Sequence, residues 1–356
     1  MTNLGATDVR PIDLSTLNLD SFRGQPVAVL GLARSGVALA RFLVDAGAHV
    51  TIYDARSTAD LAAQIGLLEG RDVRLLLGAH VDPRTALAGQ AFVATSPSVN
   101  SRYPTTEPRL REALAELEDE GRVPVVSEID LFLRLCPAKT IGVTGTKGKT
   151  TTSSLIAAVL AGGAAPVILG GNIGLPLVER LPELTAEHRV VVELSELQLP
   201  TISRGTHVSV YTHVTSDHLD RHGTVEAYRA AKRRLAELTE PAGRLVLNAE
   251  DPVSSTFEDA CPAPAIFYRR GEPTIGGVGV RDGWVVADDL VPLGGGDGAR
   301  AMTGRDGRVL PLDEVQLRGT HNTSNVLAAV AVGLLFGIAP DAIRQAVASF
   351  EGVEHR

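Results

Sequence analysis

The sequence predicts an α/β protein of two domains, each with helices covering a largely parallel sheet, and three observations carry that prediction. Strand-like and helix-like segments alternate from Pro26 to a last helix at Pro340–Phe350, the pattern of parallel strands joined by crossover helices. Glycine-bearing turns follow apolar runs and open helices at Gly31–Gly36 and at Gly145–Thr150. Between Gly271 and Leu317 the texture shifts to short, Gly-rich β segments, which predicts a small antiparallel edge.

Pro26–Leu32 (PVAVLGL) reads as a buried strand, Val37–Ala46 as a helix and His49–Tyr53 as a second strand that ends at Asp54. Apolar runs at Val73–Leu77, Phe92–Thr95 and Val123–Val126 continue the first domain, and Glu107–Gly121 supplies a charged, exposed helix. A second unit starts near Ser127–Leu135. Its strands are expected at Thr140–Thr144, Pro166–Leu169, Val190–Leu194, Val208–Val214 and Arg244–Leu247. Helices follow at Val225–Thr239 and Thr323–Phe336, and Gly294–Gly298 (GGGDG) predicts a mobile turn. The expected domains are 1–127 and 128–352, with 353–356 opening a linker.

Composition narrows the functional class. A net charge of −8 argues against a nucleic-acid partner or an anionic membrane surface, because both need a concentrated basic patch. No apolar run approaches the roughly 20 residues that span a bilayer, and the N-terminus lacks a basic region followed by an apolar core. Cys136 and Cys261 are isolated, without metal-ligand spacing. A cytoplasmic enzyme with buried, unreactive thiols is expected.

The strongest chemical signal is Lys139–Leu160, KTIGVTGTKGKTTTSSLIAAVL. A strand, a Gly-rich turn and a helix start build an anion site from backbone N–H groups and the helix dipole. Gly145, Thr146, Lys147, Gly148, Lys149, Thr150 and Thr151 form the loop, with Lys149 reaching terminal phosphates and Thr150 offering a hydroxyl to Mg²⁺. The general pattern wants glycine where Val143 stands, so this is a variant. It makes the second domain P-loop ATPase-like and leaves the first Rossmann-like.

The first turn, Gly31-Leu-Ala-Arg-Ser-Gly36, has Ala33 at the middle glycine position. That weakens a dinucleotide reading. A ligand-free tight turn stays open, and a different nucleotide read by Asp54 and Arg56 fits better. Glu193 ends the run Val190-Val-Val-Glu-Leu194 and reads as a Mg²⁺ ligand or a plain strand-end carboxylate. Asp217, His218 and Asp220 crowd the end of a later strand, which makes His218 a metal or phosphate ligand unless the turn is only a helix cap. Tyr228 and Lys232 share a helix face, yet Lys232 is one of three adjacent basic residues, which reads as a solvated face.

Taken together, TGTKGKTT, Gly170-Gly-Asn-Ile-Gly174, VVVELSELQL, TSDHLDRHGTVEAYRAAK and Gly319-Thr-His-Asn-Thr-Ser-Asn325 resemble the Mur ligase family of ATP-dependent amide ligases, in order and over nearly the whole chain. ELSELQL, GNIG and DHLDRH are most similar to the branch that joins D-glutamate to UDP-N-acetylmuramoyl-L-alanine. The resemblance implies ATP and two Mg²⁺. It places Lys149 on the ATP phosphates, Thr150 and Glu193 on one Mg²⁺ and His218 on the second. Lys232 matches a lysine carbamylated by CO₂, which turns a cation without a lone pair into an anionic ligand. Asn172 falls near the muramoyl–alanine end, Asn322 and Asn325 on the adenine side and Arg356 near the ATP ribose. Ser35, Asp54, Arg56, Ser96 and Pro97 would grip the UDP part.

Three departures stand out. Ser195-Glu196-Leu197 replaces the usual Ser-Ser-Phe, Ser98 a usual glycine and Lys147 a common asparagine. In the family the chain continues past His-Arg into a third domain that binds the amino acid, so little amide formation by this chain alone, or a separate C-terminal chain as partner, is expected. The alternatives are a non-catalytic nucleotide- or UDP-sugar-binding relative, or another Mur or folylpolyglutamate-type ligase. An NAD-linked oxidoreductase rests on the first glycine turn and Asp54 alone.

Overall fold

Alternation of buried strands with crossover helices produces two sheets. The computed structural model describes residues 9–215, 223–295, 303 and 306–353. The chain divides into two compact units, Met1–Cys136 with Pro176–Glu183, and Pro137–Leu175 with Leu184–Arg356.

The first unit holds β1 (Pro26–Leu30), α1 (Arg34–Asp45), β2 (His49–Asp54), α2 (Ala62–Gly66), β3 (Val73–Leu77), α3 (Pro83–Leu87), β4 (Phe92–Thr95), α4 (Pro108–Glu120), β5 (Val125–Ser127) and α5 (Glu128–Leu135). Its five strands lie in the order β3-β2-β1-β4-β5 and pair in parallel throughout. Val27–Leu30 and Phe92–Thr95 are buried without alternation, as a parallel sheet covered on both faces requires. Strand order reverses between β1 and β4, which opens a crevice at the strand carboxyl ends, where Gly31, Asp54 and Ser96 lie.

The expected limit at 127/128 falls before α5, and the structure keeps α5 with the first unit. Ser127 caps it by accepting from Asp130 N–H (3.3 Å), and Ile129, Leu131 and Phe132 are fully buried. The helix packs on β5, α1 and the short 3₁₀ segment Leu177–Glu183, which returns to this unit from the middle of the second. Sequence alternation does not reveal such a return, because segment 177–183 has no partner nearby in the chain.

The second unit holds β6 (Lys139–Thr144), α6 (Lys149–Leu160), β7 (Val167–Gly171), β8 (Arg189–Glu193), β9 (Val208–Tyr211), α7 (Val225–Glu237), β10 (Arg244–Asn248), β11 (Ala265–Tyr268), β12 (Val278–Arg281), β13 (Trp284–Ala287), β14 (Arg308–Pro311), α8 (Thr320–Leu335) and α9 (Pro340–Ala348). Its sheet runs β14-β13-β12-β11-β10-β9-β6-β8-β7. Among the described strands, the pairs β12–β13 and β13–β14 are the antiparallel ones, the small edge that the Gly-rich tract predicts. The GGGDG turn lies partly outside the described residues. Strand β11 escapes the sequence reading because its four residues are too short for a pattern, as do α2 and α3.

Helix α8 is buried from Asn325 to Leu335 and lies against α6 and α9. A Cβ on Gly333 would come 2.5 Å from Val159 Cγ1 and 3.0 Å from Ile343 Cδ1, so glycine is what lets these helices approach. Among the described residues no helix is long and apolar enough to cross a membrane.

One buried carboxyl in the first unit couples stability to pH. Glu128, 2% exposed at the start of α5, accepts from Val178 N–H (3.4 Å) of the returning segment. Burial pushes its pKa up to about 7 against the partial relief from that N–H and from Arg34. Because the folded value exceeds the ordinary one, the contribution is complete below the ordinary carboxyl range and is lost as pH rises through about 7. Glu128→Gln is therefore expected to match the wild type near pH 4.5. It should be more stable at pH 8 by on the order of 2–3 kcal/mol. Denaturant melts at the two pH values check this, and a pH-independent difference would refute it.

Candidate active site

Strand β6 ends in a turn that leaves no room for side chains at two positions. Gly145 has φ +152°, and a Cβ there would come 2.0 Å from Thr212 Oγ1. Gly148 has φ +85°, and its Cβ would meet Asn325 Oδ1 at 2.7 Å. Val143, where the general pattern wants glycine, is fully buried inside β6 and paired with Glu193 and Val210. Gly148 caps α6. The first N–H groups of that helix have no carbonyl one turn earlier to take them, and they form an anion-binding end together with the helix dipole.

Strand β9 ends earlier than expected. Thr212 N–H donates to Thr144 O (2.9 Å), and His213 then pairs as an isolated antiparallel bridge with Lys147. Thr146 N–H donates to His213 O (2.6 Å), and Thr212 Oγ1 donates to Lys147 O (2.6 Å). The loop is thus clamped by its neighbouring strand rather than left free.

Two lysine ammonium groups meet on one carbonyl. Lys149 Nζ donates to Gly145 O (3.0 Å) and Thr146 O (2.9 Å). Lys232 Nζ donates to the same Gly145 O (2.9 Å) and to Thr144 Oγ1 (3.3 Å). Lys232 is fully buried, which corrects the solvated-face reading. Helix α7 turns Tyr228, Lys232, Leu235 and Ala236 inward, and only Arg229, Arg233 and their neighbours face out. Tyr211 OH holds this helix by donating to Lys232 O (2.6 Å) and accepting from Ala236 N–H (2.9 Å). Tyr228 OH and Thr146 Oγ1 are 2.8 Å apart, so α7 also touches the loop.

Glu193, 1% exposed, ends the adjacent strand β8, which corrects the plain surface-carboxylate reading. Asn172 Nδ2 donates to its Oε1 (2.8 Å), and Ser153 Oγ lies 3.5 Å from its Oε2. Ser153 Oγ also donates to Thr150 O (3.1 Å), which joins the carboxylate to the start of α6. Asn172 is therefore at the carboxylate, a placement that the motif alone does not dictate. Thr144 Oγ1 donates to Leu194 O (2.9 Å) and accepts from Lys232, tying the two strand ends together.

Among the described residues no three His, Cys, Asp or Glu gather into a metal cluster. The donors at hand are the Glu193 carboxylate and the hydroxyl of Thr150, and such hard oxygens suit Mg²⁺ that keeps its waters and phosphate ligands. His218, with Asp217 and Asp220, lies outside the described residues, as does Arg356.

On the other side of Gly148, Asn325 Oδ1 accepts from Thr152 Oγ1 (3.1 Å) and Asn325 Nδ2 donates to Asn322 Oδ1 (2.9 Å). These asparagines stand at the start of α8, and Asn325 borders a cavity of about 530 Å³ with Lys147, Gly148, His213 and Tyr268. The sequence reading missed His213 and Tyr268. The expected strand Val208–Val214 runs through His213, so local pattern gave it no distinction.

In the first unit, Asp54 is the centre of a small cradle. Its Oδ2 accepts from Leu32 N–H (2.7 Å) and Arg56 Nη2 (2.7 Å), and its Oδ1 from Arg56 N–H and Nε. Burial opposes its ionisation, but the Arg56 guanidinium and the two backbone N–H groups outweigh that and hold its pKa below the usual carboxylate range. Buried Ser96 lies beside Gly31, its Oγ 3.4 Å from Gly31 O, with Pro97 next in the chain. Ser35 is in the first turn of α1, and exposed Ser98 sits inside the turn closed by Val99 N–H on Ser96 O (2.9 Å).

With that geometry in place, comparison with known proteins is informative. Residues 143–333 match the Mur ligase middle domain. UDP-N-acetylmuramoylalanine–D-glutamate ligase of Symbiobacterium thermophilum is 38% identical over 331 residues, covering 92% of this chain and 68% of the relative. The enzyme of the same name from a Roseiflexus species is 37% identical, with 92% and 67% covered. The chain thus spans about two thirds of the length of these relatives. Among solved structures, the UDP-N-acetylmuramate:L-alanyl-γ-D-glutamyl-meso-diaminopimelate ligase of Neisseria meningitides superposes with a TM-score of 0.58 at 19% identity, over 93% of this chain and 100% of that one. UDP-N-acetylmuramate-alanine ligase from Thermotoga maritima gives 0.51 at 20% identity, over 92% and 69%. The glycine-clamped loop, the paired lysines and these matches agree: the chain belongs to the Mur ligase family, and its curated relatives there are UDP-N-acetylmuramoylalanine–D-glutamate ligases.

Proposed function

We propose that this chain serves ATP-dependent addition of D-glutamate to UDP-N-acetylmuramoyl-L-alanine, a step of peptidoglycan precursor synthesis, with the UDP part on the first unit and ATP on the second. The observation that carries this reading is the convergence of Lys149, Lys232 and buried Glu193 at the carboxyl ends of β6 and β8. The substrate's alanine carboxylate attacks the γ-phosphate of ATP, giving an acyl phosphate and ADP, and the amine of D-glutamate then displaces phosphate. Both partners of the first step are anionic, so their repulsion dominates the barrier. Lys149 and the N-terminus of α6 offset it by holding the phosphate oxygens.

Mg²⁺ held by Glu193 and Thr150, with a second ion at His218, would neutralise charge on both sides of the transfer. Asn172 orients Glu193 for that task by occupying one carboxylate oxygen. Carbamylation of Lys232 fits its setting. Two ammonium groups that donate to the same carbonyl oxygen repel each other. Conversion of one to a carbamate replaces that repulsion with attraction and adds an oxygen ligand. In the first unit, Asp54, ionised and fixed by Arg56 and Leu32 N–H, offers an acceptor at the switch point for the uridine part, beside Ser35, Ser96 and Pro97.

Four outcomes test the assignment. Mg²⁺–ATP at 100 times its Kd should raise the melting temperature by several degrees, since binding at that excess adds about 2.7 kcal/mol. NAD should leave it unchanged. Lys149→Ala and Lys232→Arg should each cut ADP release, measured with both co-substrates, by at least about 100-fold. The arginine keeps the charge but forms no carbamate, so full activity in Lys232→Arg would refute that role. Asn172→Ala should raise the Mg²⁺ concentration for half-maximal activity by about tenfold. Arg56→Ala should raise the KM for the UDP substrate by about tenfold and leave the KM for ATP unchanged. Equal changes in both KM values would count against separate sites.

A further inference from the structure

The cavity beside Gly148 is lined by a histidine that the scheme above does not use. His213 Nδ1 lies 2.9 Å from Asp251 Oδ2, and the Asp251 side chain is fully buried while that of His213 is 50% exposed. Asp251 Oδ1 also accepts from Val253 N–H (2.8 Å) and Ser254 N–H (3.0 Å), and its Oδ2 from Val214 N–H. The carboxylate is therefore held from several directions and cannot rotate to suit the ring. Asp251 pairs with Nδ1, which leaves Nε2 as the ring nitrogen that can meet a ligand. The backbone of His213 is fixed as well, through Thr146 N–H on its carbonyl and the bridge to Lys147.

His213 lines the cavity of about 530 Å³ that also meets Lys147, Gly148, Asn248, Tyr268 and Asn325. That volume suits a nucleoside and far exceeds a phosphate group. The phosphates have their own anchor at the N–H groups of α6. A ribose hydroxyl, which both donates and accepts, is a partner for that nitrogen in either role. Of the charged side chains that line it, Arg270 and Glu250 pair with each other (2.9 Å).

We propose that His213, its ring held by Asp251, reads the nucleoside of ATP through a hydrogen bond between Nε2 and a ribose hydroxyl or the exocyclic amino group. This rests on the ATP reading above, and Asp251 acts through His213 as a positioning residue.

The test is a binding panel on the full chain with Mg²⁺ and five probes: ATP, 2′-deoxy-ATP, 3′-deoxy-ATP, inosine triphosphate and tripolyphosphate. His213→Ala should weaken ATP about 3- to 10-fold, the range of one net hydrogen bond, and tripolyphosphate less than about twofold. The loss should vanish for one analogue, a deoxynucleotide if a ribose hydroxyl is the partner, or inosine triphosphate if the amino group is. Asp251→Asn should weaken ATP in the wild-type background and add nothing in the His213→Ala background. Equal losses for ATP and tripolyphosphate would mean that His213 only shapes the loop, and would overturn the proposal. So would a loss that persists on every analogue, or none on ATP. Failure of the unaltered chain to bind ATP would instead defeat the underlying reading.

Discussion

The carbonyl oxygen of Gly145 accepts from two lysines that are 83 positions apart in sequence, and the site's geometry depends on that meeting. A carbonyl has two lone pairs, so it serves both donors only if each approaches from its own side. Gly145 allows this because any side chain there would strike Thr212. The loop cannot relax away, since Thr146 and Lys147 are held by His213 and Thr212. Positive charge is thereby concentrated where a helix N-terminus already favours anions.

The same strand ends place negative charge beside the positive. Glu193 is buried next to Asn172, Ser153 and the start of α6. Burying a carboxylate is costly unless its lone pairs are used, and Asn172 uses one while the other oxygen lies 3.5 Å from Ser153 Oγ. A parallel sheet suits this arrangement because all its loops at one edge point the same way. Strands β6, β8, β9 and β10 therefore deliver the loop, Glu193, His213 and Asp251 to a single rim of the second unit. Asp54 follows the same rule in the first unit, at the reversal point of its own sheet.

Much of this was legible from local pattern. Alternating apolar runs located both sheets, the Gly-rich tract located the antiparallel edge, and the order strand, glycine turn, helix located the turn from β6 into α6. What local pattern missed had no local cause. Lys232 reads as solvated among arginines, and burial of its side chain comes from α7 packing on β9 through Tyr211. The return of segment 177–183 to the first unit, and the place of α5 with it, likewise depend on contacts made far along the chain.

Periodicity and glycines at fixed offsets along the chain are enough for the α/β class, the strand ends and the glycine turn that opens α6. The tertiary structure decided which polar residues are partners: Lys232 with Gly145, Asn172 with Glu193, His213 with Asp251. The physical reason is that burial and hydrogen-bond partnership are properties of where strands end in space, and strand order in a nine-stranded sheet differs from order along the chain.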